Sequence, residues 1–184
     1  MTCTEAPTAI SLDFRPLLPT DHDVLLEAIL ANLSWYVDLF HTEGVAFGHH
    51  LASYADLEPS NGDFGILAHL ADRWVGVTWL RFFSSADHGY AYVADDVPEL
   101  GICVRKAARR QGLGRELLTR SLSVAAARGL RGVSLCIHRD NVARRLCDEM
   151  GFTEHARSGE RITMLADRGA LESAAASRAL SGTF

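Results

Sequence analysis

The residues best suited to chemistry in this chain of 184 residues form a short basic loop. The loop lies between a predicted strand and the first turn of a long predicted helix, where backbone N–H groups lack partners and the helix dipole is positive. Its glycines let an anion approach the backbone, and its arginines supply countercharge. The segment therefore predicts a phosphate or pyrophosphate site. Its residues are Arg109, Arg110, Gln111, Gly112, Leu113, Gly114 and Arg115.

The spacing within this loop excludes two common nucleotide-binding motifs. A P-loop carries a lysine directly after its last glycine, and no such lysine is present. A dinucleotide fingerprint needs a third glycine where Leu117 stands. Taken alone, the segment could also be a glycine-rich turn that only begins an ordinary helix.

Two linked stretches around this loop resemble a known enzyme family. The run ELGICVRKAARRQGLGRELL is similar to motif A of the GNAT acyltransferases, and Arg109, Gly112 and Gly114 match its signature positions. Downstream, DNVARRLCDEMGF resembles the second signature of the family, a helix that begins Asn-x-Ala and ends in Gly-Phe. The matching residues there are Asn141, Ala143, Leu146, Gly151 and Phe152.

The resemblance implies an α/β (α+β) fold with a mixed, mostly antiparallel central sheet, flanked by helices and splayed between its fourth and fifth strands. Acetyl-CoA, or a longer acyl-CoA, would enter the notch between predicted strands 99–104 and 133–137. By the family pattern the backbone of Ile102, Cys103 and Val104 would pair with the pantetheine arm. The loop at 109–115 would hold the pyrophosphate, and Asn141 would bind near the pantetheine. No metal is expected.

Transfer of an acetyl group to an amine requires a base, because an ammonium has no lone pair. Glu99, which begins the predicted strand beside the notch, is the first candidate, although a surface carboxylate is the alternative reading. His49, His50 and His138 are fallback bases. An N–H group near Cys103 or Val104 would stabilise the charge that develops on the carbonyl oxygen.

The proton donor for the leaving thiolate departs from the family pattern. Many members have a tyrosine four residues before the Gly-Phe pair, and Cys147 stands at that position. A thiol could donate the proton, but a small buried core residue is the equal alternative. Water or Tyr92 could serve instead.

The elements that position these residues follow from hydrophobic periodicity and from Gly and Pro signals. Strands are predicted at 10–15, 64–70, 74–83, 99–104, 133–137, 152–155 and 161–165, and helices at about 21–33, 112–128 and 141–150. Residues 34–57 predict one or two short helices, and 84–98 a polar loop. These elements predict a single domain over 1–165. The Ala- and Ser-rich tail at 166–184 is interpreted as a frayed helix or disorder.

Composition and charge limit the possible functions. The apolar fraction of 48% is typical of a globular protein, and no run is long enough to cross a membrane. We expect a cytoplasmic protein, because residues 1–10 have neither the basic nor the apolar region of a signal peptide. The four cysteines are widely spaced and none forms a CxxC pair, so reduced thiols are expected. Residues 1–98 carry a net charge of −11, whereas 99–157 carry +6. Nucleic acid is not an expected partner, because few aromatic residues lie among the basic ones.

The acidic N-terminal half suggests a cationic acceptor. An acidic cleft lined by aromatic residues, including Trp35, Tyr36 and Tyr92, would favour a small cationic amine. The alternative is that the acids face water and the aromatic residues are core. Two other functions stay open: a protein N-terminal or lysine acetyltransferase, and an inactive CoA-binding sensor module. A homodimer is possible.

Overall fold

The computed structural model describes residues 11–33 and 53–181. The strands in this part of the chain are β1 Leu12–Pro16, β2 Phe64–Leu70, β3 Arg73–Arg81, β4 Glu99–Val104, β5 Gly132–His138, β6 Thr153–Ser158 and β7 Arg161–Asp167. The helices are α1 His22–Leu33, α2 Leu113–Ala127, α3 Arg144–Glu149 and α4 Arg168–Ser181. Residues 53–55 are also helical. None of the described helices is long and apolar enough to cross a membrane.

The strands form one mixed sheet in the order β1-β2-β3-β4-β5-β7-β6. All neighbouring strands are antiparallel except β4 and β5, which are parallel. These two strands pair only at Glu99 and Ser134, near the start of each. Further along, their backbones separate, and a notch opens between them. The predicted fold class, with its splay between the fourth and fifth strands, is confirmed.

The alternation of side chains along β4 places two sets of residues on opposite faces of the sheet. Leu100 and Ile102 pack into the main apolar core with α2 and α4. Cys103 packs into a second cluster, together with Trp79 of β3 and Leu25 of α1. Glu99 shares the face of Cys103, so the helices of the N-terminal part cover the side of the sheet that carries the candidate base.

The apolar residues of helix α2 recur at helical spacing and form one face, and this face packs against the sheet under the notch. Leu117, Leu118, Leu122 and Ala125 are almost fully buried. One polar pair is buried within the same contact, where the hydroxyls of Thr78 and Ser121 lie 2.7 Å apart. The sheet therefore holds the start of α2 firmly at the end of β4.

The C-terminal segment differs from the frayed helix or disorder expected for it. Residues Arg168–Ser181 form helix α4, which packs against α2. Leu171 is fully buried and Ala174 is nearly so, and both belong to the main core. Asp167 accepts a hydrogen bond from the backbone N–H of Ala170 at the start of the helix. The hydrophobic core thus extends well past residue 165.

Candidate active site

The notch between β4 and β5 opens into a cavity of about 580 Å³. Both strands, the loop before α2 and the segment leading into α3 contribute to its walls. Of the predicted cofactor and catalytic residues, the cavity brings together Ile102, Val104, Arg109, Arg110, Gly112, Gly114, Arg115, Asn141 and Cys147. Residues as far apart in the sequence as Ile102 and Cys147 therefore line one space.

The loop before α2 has the backbone geometry of an anion site. Gly112 has φ +81°, and a Cβ atom at this position would have no atom within 4 Å. Arg110 also adopts a left-handed conformation, with φ +61°. No side chain caps the helix, whose first internal hydrogen bond runs from the N–H of Glu116 to the carbonyl of Gly112. The backbone N–H groups at the start of the helix, before Glu116, therefore have no hydrogen-bond partner within the helix. They lie at the end of the helix that borders the cavity.

The three arginines of this loop differ in their availability to an anion. The Nε of Arg109 donates to the backbone carbonyl of Val104 at 2.9 Å. Arg115 forms an ion pair with Glu149, which neutralises part of its charge. Arg110 is exposed and has no ion pair within the described residues. Arg110 is thus the most available cation at the cavity rim.

Asn141 lies before α3 rather than inside it. Its Oδ1 accepts the N–H of Ala143 at 2.9 Å, and its carbonyl accepts the N–H of Arg144. These local bonds form a turn that replaces the first helical turn, so the helix spans Arg144–Glu149 instead of 141–150. Val142 is 80% exposed and lines the cavity.

Cys147 both lines the cavity and belongs to the main apolar core. The residue is only 4% exposed, and burial raises the pKa of its thiol to about 12. An ordinary thiol has a pKa of about 8.5, so Cys147 is the weaker acid by a wide margin. The thiol therefore stays protonated, and its transfer of a proton to a CoA thiolate is unfavourable.

Glu99 is 2% exposed at the point where β4 and β5 separate. Its Oε2 accepts hydrogen bonds from the hydroxyl of Tyr54 at 2.5 Å and from the N–H of Ala91 at 3.0 Å. Its Oε1 is buried and accepts no hydrogen bond from the residues that the structure describes. Burial raises the pKa of the carboxyl, and the bonds from Tyr54 and Ala91 partly oppose this rise. Glu99 is therefore a buried acid, not a surface carboxylate, and one of its oxygens accepts no hydrogen bond from the described residues.

Two further polar groups lie beside the notch. The Nδ2 of Asn32, on α1, donates to the carbonyl of Ile102 at 2.8 Å, and Asn32 lines the cavity. The indole of Trp79 crosses Gly101 of β4, where a Cβ atom would lie 2.1 Å from the ring. The Nε1 of Trp79 is buried and has no hydrogen-bond partner in the described part of the chain. Gly101 therefore leaves room for an aromatic ring against the edge of the notch.

Several predicted residues lie away from the cavity. Cys103 is buried on the opposite face, and Leu113 packs in an apolar cluster. Gln111 is exposed and donates to the carbonyl of Ala107. The hydroxyl of Tyr92 donates to Asp95, and its ring stacks on His88. Trp35, Tyr36, His49 and His50 lie outside the described residues.

The sequence suggested no role for Asn32, and it indicated Tyr54 only as one of the aromatic residues of the N-terminal half that could line an acceptor cleft. Tyr54 reaches Glu99 across 45 positions and Asn32 reaches Ile102 across 70. Neither residue belongs to a local motif, so the sequence alone gives no signal for these two contacts. Cys136 of β5 also lines the cavity.

One group of possible metal ligands lies at the end of β5. His138, Asp140 and Glu160 place ligand atoms within 4.8 Å of one another. The carboxylate of Glu160 is already bonded to Arg139 at 2.5 Å, and both acids are exposed. The group is explained by ion pairing at the protein surface.

The family of the chain follows from its sequence as well as from this geometry. The model of the acetyltransferase (GNAT) family matches residues 31–152, about two thirds of the chain. The chain belongs to the GNAT acetyltransferase family. The match contains α2, the notch and the segment before α3. GNAT enzymes transfer an acetyl group from acetyl-CoA, and the present chain is an acetyltransferase of this kind.

Solved structures show the same fold. PaiA N-acetyltransferase from Thermoplasma acidophilum, in complex with coenzyme A, is 17% identical with a TM-score of 0.61, over 86% of this chain and 99% of that one. YncA from Salmonella typhimurium, with acetyl-CoA, is 21% identical with a TM-score of 0.60, over 86% and 94%. A spermidine N-acetyltransferase SpeG chimera from Vibrio cholerae is 16% identical with a TM-score of 0.56, over 88% and 98%. No curated protein matches the chain in sequence.

The residues of this GNAT chain fit the acyl donor at several points. The open side of Gly112 and the unpartnered N–H groups of α2 suit a pyrophosphate, and Arg110 adds positive charge. Leu100, Leu135 and Ile137 give the inner part of the cavity an apolar wall. Glu99 is not among the residues that line the cavity; it lies where β4 pairs with β5, next to the lining residues Leu100 and Gly101.

Proposed function

We propose that this enzyme acetylates the primary amine of a small cationic molecule, and that Glu99 is the base. The buried carboxylate of Glu99, whose Oε1 accepts no hydrogen bond from the described residues, is the observation that carries the proposal. A carboxylate that is removed from water and lacks a partner gains most from a positively charged ligand. An ammonium group that donates to Oε1 would supply this interaction.

The reaction follows from the groups around the notch. Acetyl-CoA supplies an acetyl group as a thioester, and its transfer forms an amide and releases CoA. The Oε1 of Glu99 accepts a proton from the bound ammonium, which frees the lone pair of the amine. The amine then attacks the thioester carbonyl directly in a ternary complex, the C–S bond breaks and the nitrogen loses its second proton, so no acyl group is carried by the protein. The thiol of Cys147, whose pKa is raised to about 12 by burial, is a poor donor, so the leaving thiolate takes the proton that the amine nitrogen releases, relayed by water.

The charge of the surroundings supports a cationic acceptor. Residues 1–98, which include the segments over Glu99, carry a net charge of −11. Such a field raises the local concentration of cations near the site. One structure with the same fold is a spermidine N-acetyltransferase, whose acceptor is a polyamine. At 16% identity that likeness shows the fold alone, so the argument depends on Glu99 and its surroundings.

The experiment compares acceptors that differ mainly in the charge of their far end. Thiol release from acetyl-CoA is measured with 1,4-diaminobutane, n-butylamine and 4-aminobutanoate, and each product is identified by mass spectrometry. We expect kcat/KM to be at least about tenfold higher for the diamine than for butylamine, which corresponds to about 1.4 kcal/mol. It should be lowest for the amino acid.

Equal rates for the three acceptors, or a preference for 4-aminobutanoate, would refute the cationic acceptor. A lysine or N-terminal peptide that reacts far faster than any small amine would instead identify a protein acetyltransferase. No thiol release with any acceptor, together with normal acetyl-CoA binding, would favour an inactive sensor module.

A further inference from the structure

The two oxygens of the Glu99 carboxylate are held in different ways. The hydroxyl of Tyr54 and the N–H of Ala91 both donate to Oε2, at 2.5 Å and 3.0 Å. Oε1 receives no hydrogen bond within the described residues, although it is buried. Two donors on one oxygen fix the rotation of the carboxylate and leave the other oxygen for a ligand. Tyr54 is therefore placed to decide which oxygen faces the acceptor.

The loop that covers Tyr54 contacts its hydroxyl at Gly89 and Tyr90. The N–H of Tyr90 donates to the Tyr54 hydroxyl at 2.9 Å, so that this hydroxyl is oriented towards Glu99. A Cβ atom on Gly89 would lie 1.9 Å from the Tyr54 hydroxyl and 2.6 Å from Oε2 of Glu99. The loop backbone can approach the pair only because residue 89 has no side chain. The Tyr54 ring also packs edge-on against Phe83, with centroids 5.1 Å apart.

Other titratable groups that face Glu99 come from three elements. His88, in the covering loop, lowers the pKa of Glu99 when it is charged. Cys136, on β5, has a pKa raised to about 11 by burial and is neutral at physiological pH. Arg81, the neighbour of Glu99 on β3, is bonded to Asp63 at 2.9 Å. Tyr54 itself has its pKa raised well above the ordinary value by burial, so it stays a hydrogen-bond donor.

We propose that Tyr54 is a positioning residue for the catalytic base, which keeps Glu99 ionised and turns its Oε1 towards the acceptor amine. This inference rests on the proposed function, in which Glu99 is the base. A hydrogen bond to the charged form of an acid favours that form. Loss of the Tyr54 hydroxyl should therefore make Glu99 harder to ionise, and activity should need a higher pH.

The experiment measures the titration of Glu99 directly as well as through activity. The protein is labelled with carbon-13 at the glutamate carboxyl, and the Glu99 signal is identified by its absence in Glu99→Gln. We expect Tyr54→Phe to raise the pKa of Glu99 by about one to two units. The acid limb of the kcat/KM profile should move to higher pH by the same amount, while the Kd for acetyl-CoA stays unchanged.

Two variants separate this effect from a general loss of packing. Gly89→Ala should push the loop from Tyr54 and shift the Glu99 titration in the same direction. Ser121→Ala removes another buried hydroxyl, whose partner Thr78 is 2.7 Å away, and should leave the titration unchanged. An unchanged Glu99 titration in folded Tyr54→Phe would overturn the proposal. A shifted titration in a protein that acetylates no amine would support the positioning and refute the proposed function, so the two failures are distinguishable.

Discussion

The pyrophosphate site can be tested at Gly112, the position in the loop before α2 that is most open. Its φ is +81°, and nothing lies within 4 Å of a Cβ atom there. Gly159, in the turn between β6 and β7, shares both properties, with φ +58° and an open side. A side chain at either position meets no steric clash. The two positions differ in their surroundings, because only Gly112 lies beside the cavity. Gly112→Asp and Gly159→Asp therefore form a matched pair.

The expected magnitude has two parts. A left-handed conformation costs a non-glycine residue about 1 kcal/mol, and both variants should lose this much stability. Only at Gly112 does the new carboxylate also face the bound pyrophosphate. Two unit charges about 5 Å apart repel by about 3 kcal/mol at an effective dielectric constant of about 20, and salt reduces this somewhat. Acetyl-CoA should therefore bind to Gly112→Asp roughly 30- to 160-fold more weakly.

The assay is isothermal titration calorimetry with acetyl-CoA and free CoA, after thermal unfolding has shown that both variants are folded. Gly159→Asp should bind both ligands with the Kd of the parent protein. An equal loss in the two variants would indicate a general effect of the substitution. Binding to Gly112→Asp at the strength of the parent would refute the placement of the pyrophosphate at the start of α2.

Two further outcomes concern residues whose roles the sequence left open. Cys147→Ala should keep kcat within about threefold of the parent, because a thiol with a pKa of about 12 is a poor proton donor; a tenfold or larger fall in kcat, with unchanged acetyl-CoA binding, would make it the catalytic acid. Leu171→Ala should lower the free energy of unfolding by about 2–5 kcal/mol in a denaturant titration, because the side chain is fully buried. The exposed neighbour Glu172 is the control, and Glu172→Ala should change stability by no more than about 0.5 kcal/mol. Equal stability of the two variants would show that α4 adds nothing to the core.

The part of the fold that the sequence predicts well is the part with strong local signals. The predicted strand 99–104 coincides with β4, and the predicted helix 112–128 differs from α2 by one residue at each end. Here apolar periodicity, a glycine at each end of the helix and the family motifs all agree. The notch was predicted through the family resemblance, and its geometry follows from the single pairing of Glu99 with Ser134.

The part that was missed depends on contacts between distant residues. Helix α4 has a composition rich in Ala and Ser, which resembles a flexible tail until Leu171 and Ala174 are seen against α2. The shortened α3 results from the side chain of Asn141, which bonds to the backbone of Ala143. The surroundings of Glu99 depend on Tyr54, which is brought to it by the packing of a separate segment. Such contacts leave no periodic pattern in the sequence.

The most direct test of the mechanism is a single-turnover experiment on Glu99→Gln. Gln has the size of Glu, and its side-chain carbonyl can still accept the hydrogen bonds from Tyr54 and Ala91. The variant also lacks the buried charge that raises the pKa of Glu99, so it should be at least as stable as the parent above that pKa. The preformed acetyl-CoA complex is mixed with the best amine, and amide formation is followed by rapid quench.

If Glu99 is the base, Glu99→Gln should bind acetyl-CoA with the Kd of the parent and transfer the acetyl group about 10²- to 10⁴-fold more slowly. Transfer at the rate of the parent by a folded variant, at a pH where the amine is an ammonium, would contradict the account.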